Sequence, residues 1–327
     1  MPQPGESGRY SSRRQGTLSV TGTVTEGLTQ MAHSPGRTVL RRQLGRELRR
    51  LREAAGKTVE DAAEWAGVQK PTISKMENGR QAIRPTNVRL LAQLYGASEE
   101  LTADLLKRAA ESTEPSPWAA YADTMPDSFT RYAELEADTV RIDGYDTELV
   151  PGLLQSEGYI EAVVRAARPG ITDAALAKSV NFQLARQHRL LDKNPPRLRF
   201  VLNEGVLLRR VGGLETYSEQ LRALIEANER SYVDLHVLPF AVGEHPAMGS
   251  SFKVLEFTDH ELDFVYLENN SGATYLEGVE DRDEYRHIMD RLVGLSDDSQ
   301  ATSERLAKLV ETCDSERKGY GDDSGPH

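Results

Sequence analysis

The chain holds a single cysteine, Cys313, among its 327 residues. One thiol excludes an intramolecular disulfide and a structural zinc site of the finger type. Long apolar runs are also missing: none approaches the ~20 residues that a membrane-spanning helix needs. The opening stretch, MPQPGESGRYSSRRQGTLSV, lacks the apolar core of a signal peptide. The expectation is a soluble protein of the reducing cytoplasm. Catalytic signatures are absent as well. There is no GxSxG elbow and no GxxxxGK[ST] loop, and His260-Glu261 lacks the second histidine of a zinc helix. No enzyme, no metal and no cofactor are expected.

What is present is an uneven charge. The net charge is -11, yet Arg37 to Arg89 carries 13 Lys and Arg against 6 Asp and Glu, a local +7 that leaves -18 for the remainder. A basic segment on an acidic body is the division expected when one domain meets phosphates and the other meets something else. The carboxylates between Glu256 and Glu284 read as a solvated acidic surface.

The length suggests two domains with tails. Residues 1–36 are rich in Gly, Ser, Thr, Pro and Gln and read as a disordered tail. Residues 37–110 read as a five-helix domain: apolar residues recur at helical spacing, Gly56 and Gly67 stop the first two helices, and Asn78-Gly79 closes the third. Residues 111–119 (ESTEPSP at the start) read as a linker. Residues 120–295 read as a mixed α and β (α+β) domain. Helices are expected at Ser128 to Ile142, Ser156 to Ala167, Thr172 to Leu191, Leu214 to Glu229 and Glu280 to Leu292. Strands are expected at Arg197 to Leu202, Tyr232 to Leu238, Ser251 to Phe257 and Leu262 to Leu267. Residues 296–327 read as a short helix, Ser303 to Thr312, and a tail.

The segment from Thr58 to Arg80, TVEDAAEWAGVQKPTISKMENGR, carries the most chemistry. Two short helices that cross steeply need a small residue where they meet and a residue tolerant of positive φ in the turn, and Ala63 and Gly67 supply these. Ile73 plugs the second helix into the first. Gln69, Lys70, Thr72, Ser74 and Lys75 then stand exposed at or near the end that reaches base edges in the major groove. Thr58 is placed as an N-cap with Asp61 in the capping-box slot. A hairpin that only packs would explain Ile73 and Gly67, but not the polar cluster or its basic surround. Trp65 reads as a core or interface aromatic.

The pattern AxxAGVxxxTISKxENG, here Ala63, Ala66, Gly67, Val68, Thr72 to Lys75 and Glu77 to Gly79, resembles the XRE, or lambda-repressor-like, family of helix-turn-helix regulators. The resemblance covers roughly residues 40–108. It implies an all-α lambda-repressor-like fold with Gln69, Lys70, Thr72 and Ser74 near bases, and Thr58, Lys75 and Arg80 near the DNA backbone. One departure stands out: Gln69 occupies a cap position where the family often has Ser or Thr, with Pro71 close behind.

A second resemblance covers residues 120–295. ELVPGLLQSEGYIEAV, ARQHRLL, LNEGVLLRRVGG, VLPF and VYLEN are similar to the long C-terminal domain of unknown function in actinobacterial XRE regulators of the WhiJ-like, antitoxin-like type. That implies regulation of nearby genes and pairing with a small protein encoded next door. Arg186, His188 and Glu204 could form a polar site or serve stability as ion pairs. Pro151-Gly152 and Gly212-Gly213 read as turns, and His245 as a loop residue.

The leading expectation is a nucleoid-associated regulator that binds double-stranded DNA as a homodimer, since one helix-turn-helix makes few base contacts. The competing expectation is an antitoxin-like interaction protein that holds a small partner and autoregulates. A ligand-sensing or enzymatic C-terminal domain is the remote third.

Overall fold

The computed structural model describes residues 36–113, 117–121, 127–269 and 272–321. The expected disordered tail, except for Gly36, lies outside the described residues, as do residues 114–116 of the expected linker.

The first helices are α1 (Arg37–Ala54), α2 (Val59–Ala66), α3 (Lys70–Glu77), α4 (Pro85–Tyr95) and α5 (Glu99–Ser112). Their boundaries follow from local chemistry. Thr58 Oγ1 accepts from the Asp61 amide at 3.1 Å, and the Asp61 carboxylate accepts from the Thr58 amide at 2.8 Å, completing a capping box at the start of α2. Gly67 ends α2 at φ 64°, a left-handed conformation that any side chain would disfavour. Pro71 and Pro85 sit in first turns, where a missing N–H costs little. Leu44 and Leu48 of α1 meet Ala62, Ala63, Ile73 and Met76 of α2 and α3 in one buried cluster that Leu91 and Leu105 complete. Beside it lies a buried ion pair. The Arg52 guanidinium donates to both Glu77 oxygens, at 2.7 and 3.0 Å, and its remaining nitrogen donates to the Lys57 carbonyl at 2.9 Å. This fork ties α1 to the end of α3, and the charge-assisted bonds to Glu77 raise the Arg52 pKa.

After a 3-10 turn at Pro117–Tyr121 come α6 (Asp127–Glu136), β1 (Arg141–Asp146), α7 (Glu157–Ala167), α8 (Asp173–Gln187), β2 (Arg197–Asn203), α9 (Glu204–Leu208), α10 (Gly213–Asn228), β3 (Val233–Leu238), β4 (Phe252–Glu256), β5 (Phe264–Asn269), β6 (Gly272–Leu276), α11 (Val279–Leu295) and α12 (Ser299–Gly321). The strands form one sheet in the order β3-β2-β1-β4-β5-β6. β1, β2 and β3 are parallel, while β4, β5 and β6 run antiparallel. Alternation along the strands sorts the core into two layers. Leu198, Phe200 and Leu202 face Leu221, Leu224 and Leu306 of α10 and α12. Val201, Val254 and Val265 face Met289 and Leu292 of α11. The fold is therefore a helical N-terminal part followed by a mixed α/β part, in line with the sequence reading.

Three expectations need correction. The helix placed at Ser128 to Ile142 stops at Glu136, and β1 follows it as the central strand next to β2. Asp143 and Gly144 disguise that strand. Asp143 is buried against Arg141, at 2.8 Å, and Arg199. At Gly144 a Cβ would lie 2.7 Å from the Phe200 ring. Strand β6 was not expected. The short helix at Ser303 to Thr312 is the middle of the much longer α12.

α1 also belongs to the second part of the chain. Val39 packs in a cluster with Tyr132, Leu135, Leu255, Phe257 and Phe264. The Gly36 amide donates to Asp138 Oδ1 at 2.7 Å, and Arg37 and Thr38 both donate to Glu134. Burying one valine of this kind stabilises by about 2 kcal/mol, so α1 is docked by packing as well as by charge.

Candidate nucleic-acid interface

α3 presents two unlike faces. Ile73, Met76 and Glu77 point inward and are buried. Gln69, Lys70, Ser74 and Lys75 are exposed, and Thr72 is half-buried at the edge of the packed face. Gln69 stands at the N-cap without making a side-chain cap bond, Pro71 has no N–H to offer, and the Thr72 amide donates to the Gln69 carbonyl at 2.8 Å. Lys70 forms an exposed ion pair with Glu60 of the first turn of α2. Such a pair contributes little and exchanges readily. The Ser74 hydroxyl accepts from the Asn78 side-chain amide at 3.4 Å.

The flanking positions are less uniform. Lys75 and Arg80 are exposed beyond the outward face of α3, with the Arg80 amide bonded to the Lys75 carbonyl at 2.8 Å. Thr58 is exposed, but its hydroxyl and its amide are both engaged by Asp61. Those bonds hold the Asp61 pKa low, and Lys70 holds that of Glu60 low. A phosphate at the start of α2 therefore meets two ionised carboxylates, which the sequence reading of Thr58 did not weigh. Arg84, at the N-cap of α4, and Arg89 add exposed positive charge that it did not single out. The signal was available in the recurrence of arginine at positions 80, 84 and 89 around Pro85.

Trp65 is not a core residue: it is 49% exposed, and its indole N–H donates to the Leu90 carbonyl at 3.0 Å.

In the second part, the suggested polar site does not assemble. Arg186 is buried and donates to both Glu136 oxygens at 2.8 Å, with its guanidinium over the Phe129 ring. Burial works to lower its pKa, and Glu136 more than offsets that. Glu204 instead takes Arg305, at 2.9 Å, and accepts from the Phe240 amide at 2.7 Å. His188 is exposed. The physical reason is that Arg186 and Glu204 are each taken by another partner, Glu136 and Arg305. His245 places Nε2 3.3 Å from the Tyr145 hydroxyl, and burial lowers its pKa.

The carboxylates read as a solvated surface are also largely engaged. Glu256 and Asp263 both pair with Arg286, at 3.0 and 2.7 Å. Asp259 and Glu261 pair with Arg46, and Glu277 with Arg42, so three of them face α1.

Residues 43–105 match the model of a helix-turn-helix domain. Residues 129–308, more than half of the chain, match the model of a domain of unknown function, DUF5753. The chain belongs to the DUF5753 family. Its DUF5753 part is the sheet with its helices, and the helix-turn-helix match spans the cluster built on α1 to α5. Together they support an XRE-like helix-turn-helix regulator that binds DNA. No curated protein and no solved structure matches the chain. Among the described residues, no helix is long and apolar enough to cross a membrane.

Proposed function

We propose that this protein is a sequence-specific transcription regulator that acts as a homodimer on the nucleoid, in the cytoplasm. The observation that carries the proposal is the division of α3: an inner face locked by Ile73, Met76 and the Arg52–Glu77 fork, and an outer face bearing Gln69, Lys70 and Ser74. A rigid helix with hydrogen-bonding groups at its N-terminal end is what base readout in the major groove requires. In this reading Gln69, Lys70, Thr72 and Ser74 meet bases and Lys75 and Arg80 meet the backbone, while Thr58, whose hydroxyl and amide are both held by Asp61, serves as the cap of α2. The proposal assigns the protein no catalytic step, no metal and no cofactor.

The DUF5753 part then serves as the receiver of a partner or signal, in the manner of the WhiJ-like regulators that the sequence resembles. The second reading puts partner binding first, in an antitoxin-like protein that holds a small protein from a neighbouring gene. The exposure of Phe240 at 59% and Met248 at 70%, both following β3, favours keeping it. In vitro selection from random duplex tests the first reading. The expected outcome is an enriched pair of half-sites with centres about one helical turn, ~34 Å, apart. No enrichment over the input pool would contradict it. Purification from the native host tests the second, which requires a stoichiometric small protein to remain bound.

A further inference from the structure

A cleft of about 680 Å³ opens between α1 and the sheet part. One wall comes from the helix-turn-helix part and sets Arg42, Arg46, Arg49, Arg50 and Arg108 among Glu47, Glu53 and Glu77, so it keeps an excess of positive charge. The other brings the carboxylates of Asp259, Glu261 and Glu277. Asn78, which ends α3 just before Arg80, lines the same cleft. The arginines are not equivalent. Arg49 pairs with Glu53 and Arg50 with Glu47, both within α1. Among the described residues, the ion-pair partners of Arg42 and Arg46 all come from the sheet part: Glu277 at 3.3 Å from Arg42, and Asp259, at 3.6 Å, with Glu261 for Arg46.

These contacts leave donors unused. The Arg42 side chain is 95% buried, at 5% exposure, and its guanidinium lies over the Phe264 ring, 5.2 Å from the centroid. Its Nη1, and the Nη1 of Arg46, find no hydrogen-bond partner among the described residues. The Arg42 guanidinium is thus a buried charge with an unmet donor, which leaves its contact with the sheet part less than fully satisfied. The carboxylates meet its charge but not its full hydrogen-bonding capacity.

We propose that this cleft is an anion site in which the Asp259–Glu261 turn and Glu277 stand in for DNA phosphates, so that the sheet part restrains DNA binding. The inference rests on the DNA-binding reading above. It follows from position and sign. A duplex seated on the outer face of α3 brings phosphates toward Asn78, which lines the cleft, and toward Arg80 two residues further on. There they meet three carboxylates, which repel them and hold the arginines that would attract them. DNA binding must displace the turn, and whatever draws the turn away from α1 favours DNA. The restraint is therefore a built-in coupling between the DUF5753 part and the DNA surface.

The test uses the full chain with the selected duplex and an unrelated duplex of equal length. Asp259→Asn, Glu261→Gln and Glu277→Gln are combined in one variant. A control combines Glu219→Gln, Glu304→Gln and Glu311→Gln, which remove the same charge from α10 and α12. Those helices cover the half of the sheet that ends at β3, whereas the cleft lies toward β6. Fluorescence anisotropy at one salt concentration gives the affinities, and hydrogen exchange reads the Asp259–Glu261 turn with and without DNA. We expect the cleft variant to bind both duplexes about tenfold more tightly, ~1.4 kcal/mol. The control should change by less than about threefold, and the turn of the unmodified protein should exchange faster once DNA is bound. Equal affinities for the two variants, with a turn unaltered by DNA, would overturn the restraint while leaving DNA binding intact. Binding by the cleft variant alone would mean complete restraint and would support the proposal. No binding by any of the proteins would overturn the DNA-binding reading and this inference with it.

Discussion

At the scale of single residues, Asp138 decides how the start of α1 responds to pH. Its Oδ1 accepts the Gly36 amide at 2.7 Å, while its Oδ2 has no hydrogen-bond partner among the described residues. Burial pushes its pKa up to about 7; the Gly36 amide and Arg189 pull it down, and Glu134 adds to the rise. The folded protein thus prefers the protonated acid, while the unfolded chain ionises near ~3.9. The stability linked to that proton is fully present below about pH 4 and is gone above about pH 7, a difference on the order of 4 kcal/mol. Asp138→Asn keeps the acceptor and removes the titration. Urea unfolding should give equal stabilities near pH 4 and a growing advantage for the variant up to pH 8. A gap independent of pH would contradict the assignment. Little of this was legible in the sequence, because a buried carboxylate is defined by what folds over it. The Thr58 cap was legible, since its partner Asp61 stands three residues away. Glu277 and Arg42 lie far apart along the chain, and only the fold brings them together.

At the scale of elements, the helix-turn-helix could be read because its signals are local. Apolar residues recur at helical spacing and Gly67 breaks the run where the turn must reverse. Gly67→Ala meets no atoms within 4 Å, so its cost is the left-handed backbone alone. A loss of about 1 kcal/mol in chemical denaturation is expected; no loss would mean that α2 does not need this turn. β1 could not be read, because Asp143 and Gly144 are poor strand formers that serve their neighbours. Gly144→Ala drives a methyl into the Phe200 ring and should cost about 1–3 kcal/mol, the range for overpacking a core. An unchanged midpoint would mean that β2 gives way freely. β6 was missed because it is short and at the edge, with no clean alternation of burial. α12 was read too short because its buried contacts, Leu306 and Cys313, occupy its middle. Its later turns are held by ion pairs such as Arg222–Asp314 and Arg210–Glu316, both at 2.7 Å.

At the scale of the molecule, α1 is shared by two cores, with Leu44 and Leu48 on one side and Val39 on the other. The local +7 and the remaining -18 therefore touch along α1 instead of standing apart on a linker, a contact that composition could not reveal. The outer face of α3 remains exposed beside this contact. Its role can be divided by the kind of contact each lysine makes. A base-reading residue governs preference among sequences, whereas a phosphate-binding residue weakens all sequences alike and lowers the salt dependence. The most direct measurement is the affinity of Lys70→Ala and Lys75→Ala for the selected site and for unrelated duplex, over a range of salt. Lys70→Ala should lose about 1–3 kcal/mol on the selected site and little elsewhere. Lys75→Ala should weaken both duplexes equally and reduce the slope of log affinity against log salt by about 1. If both variants bind both duplexes as tightly as the parent protein, α3 is not the helix that reads DNA.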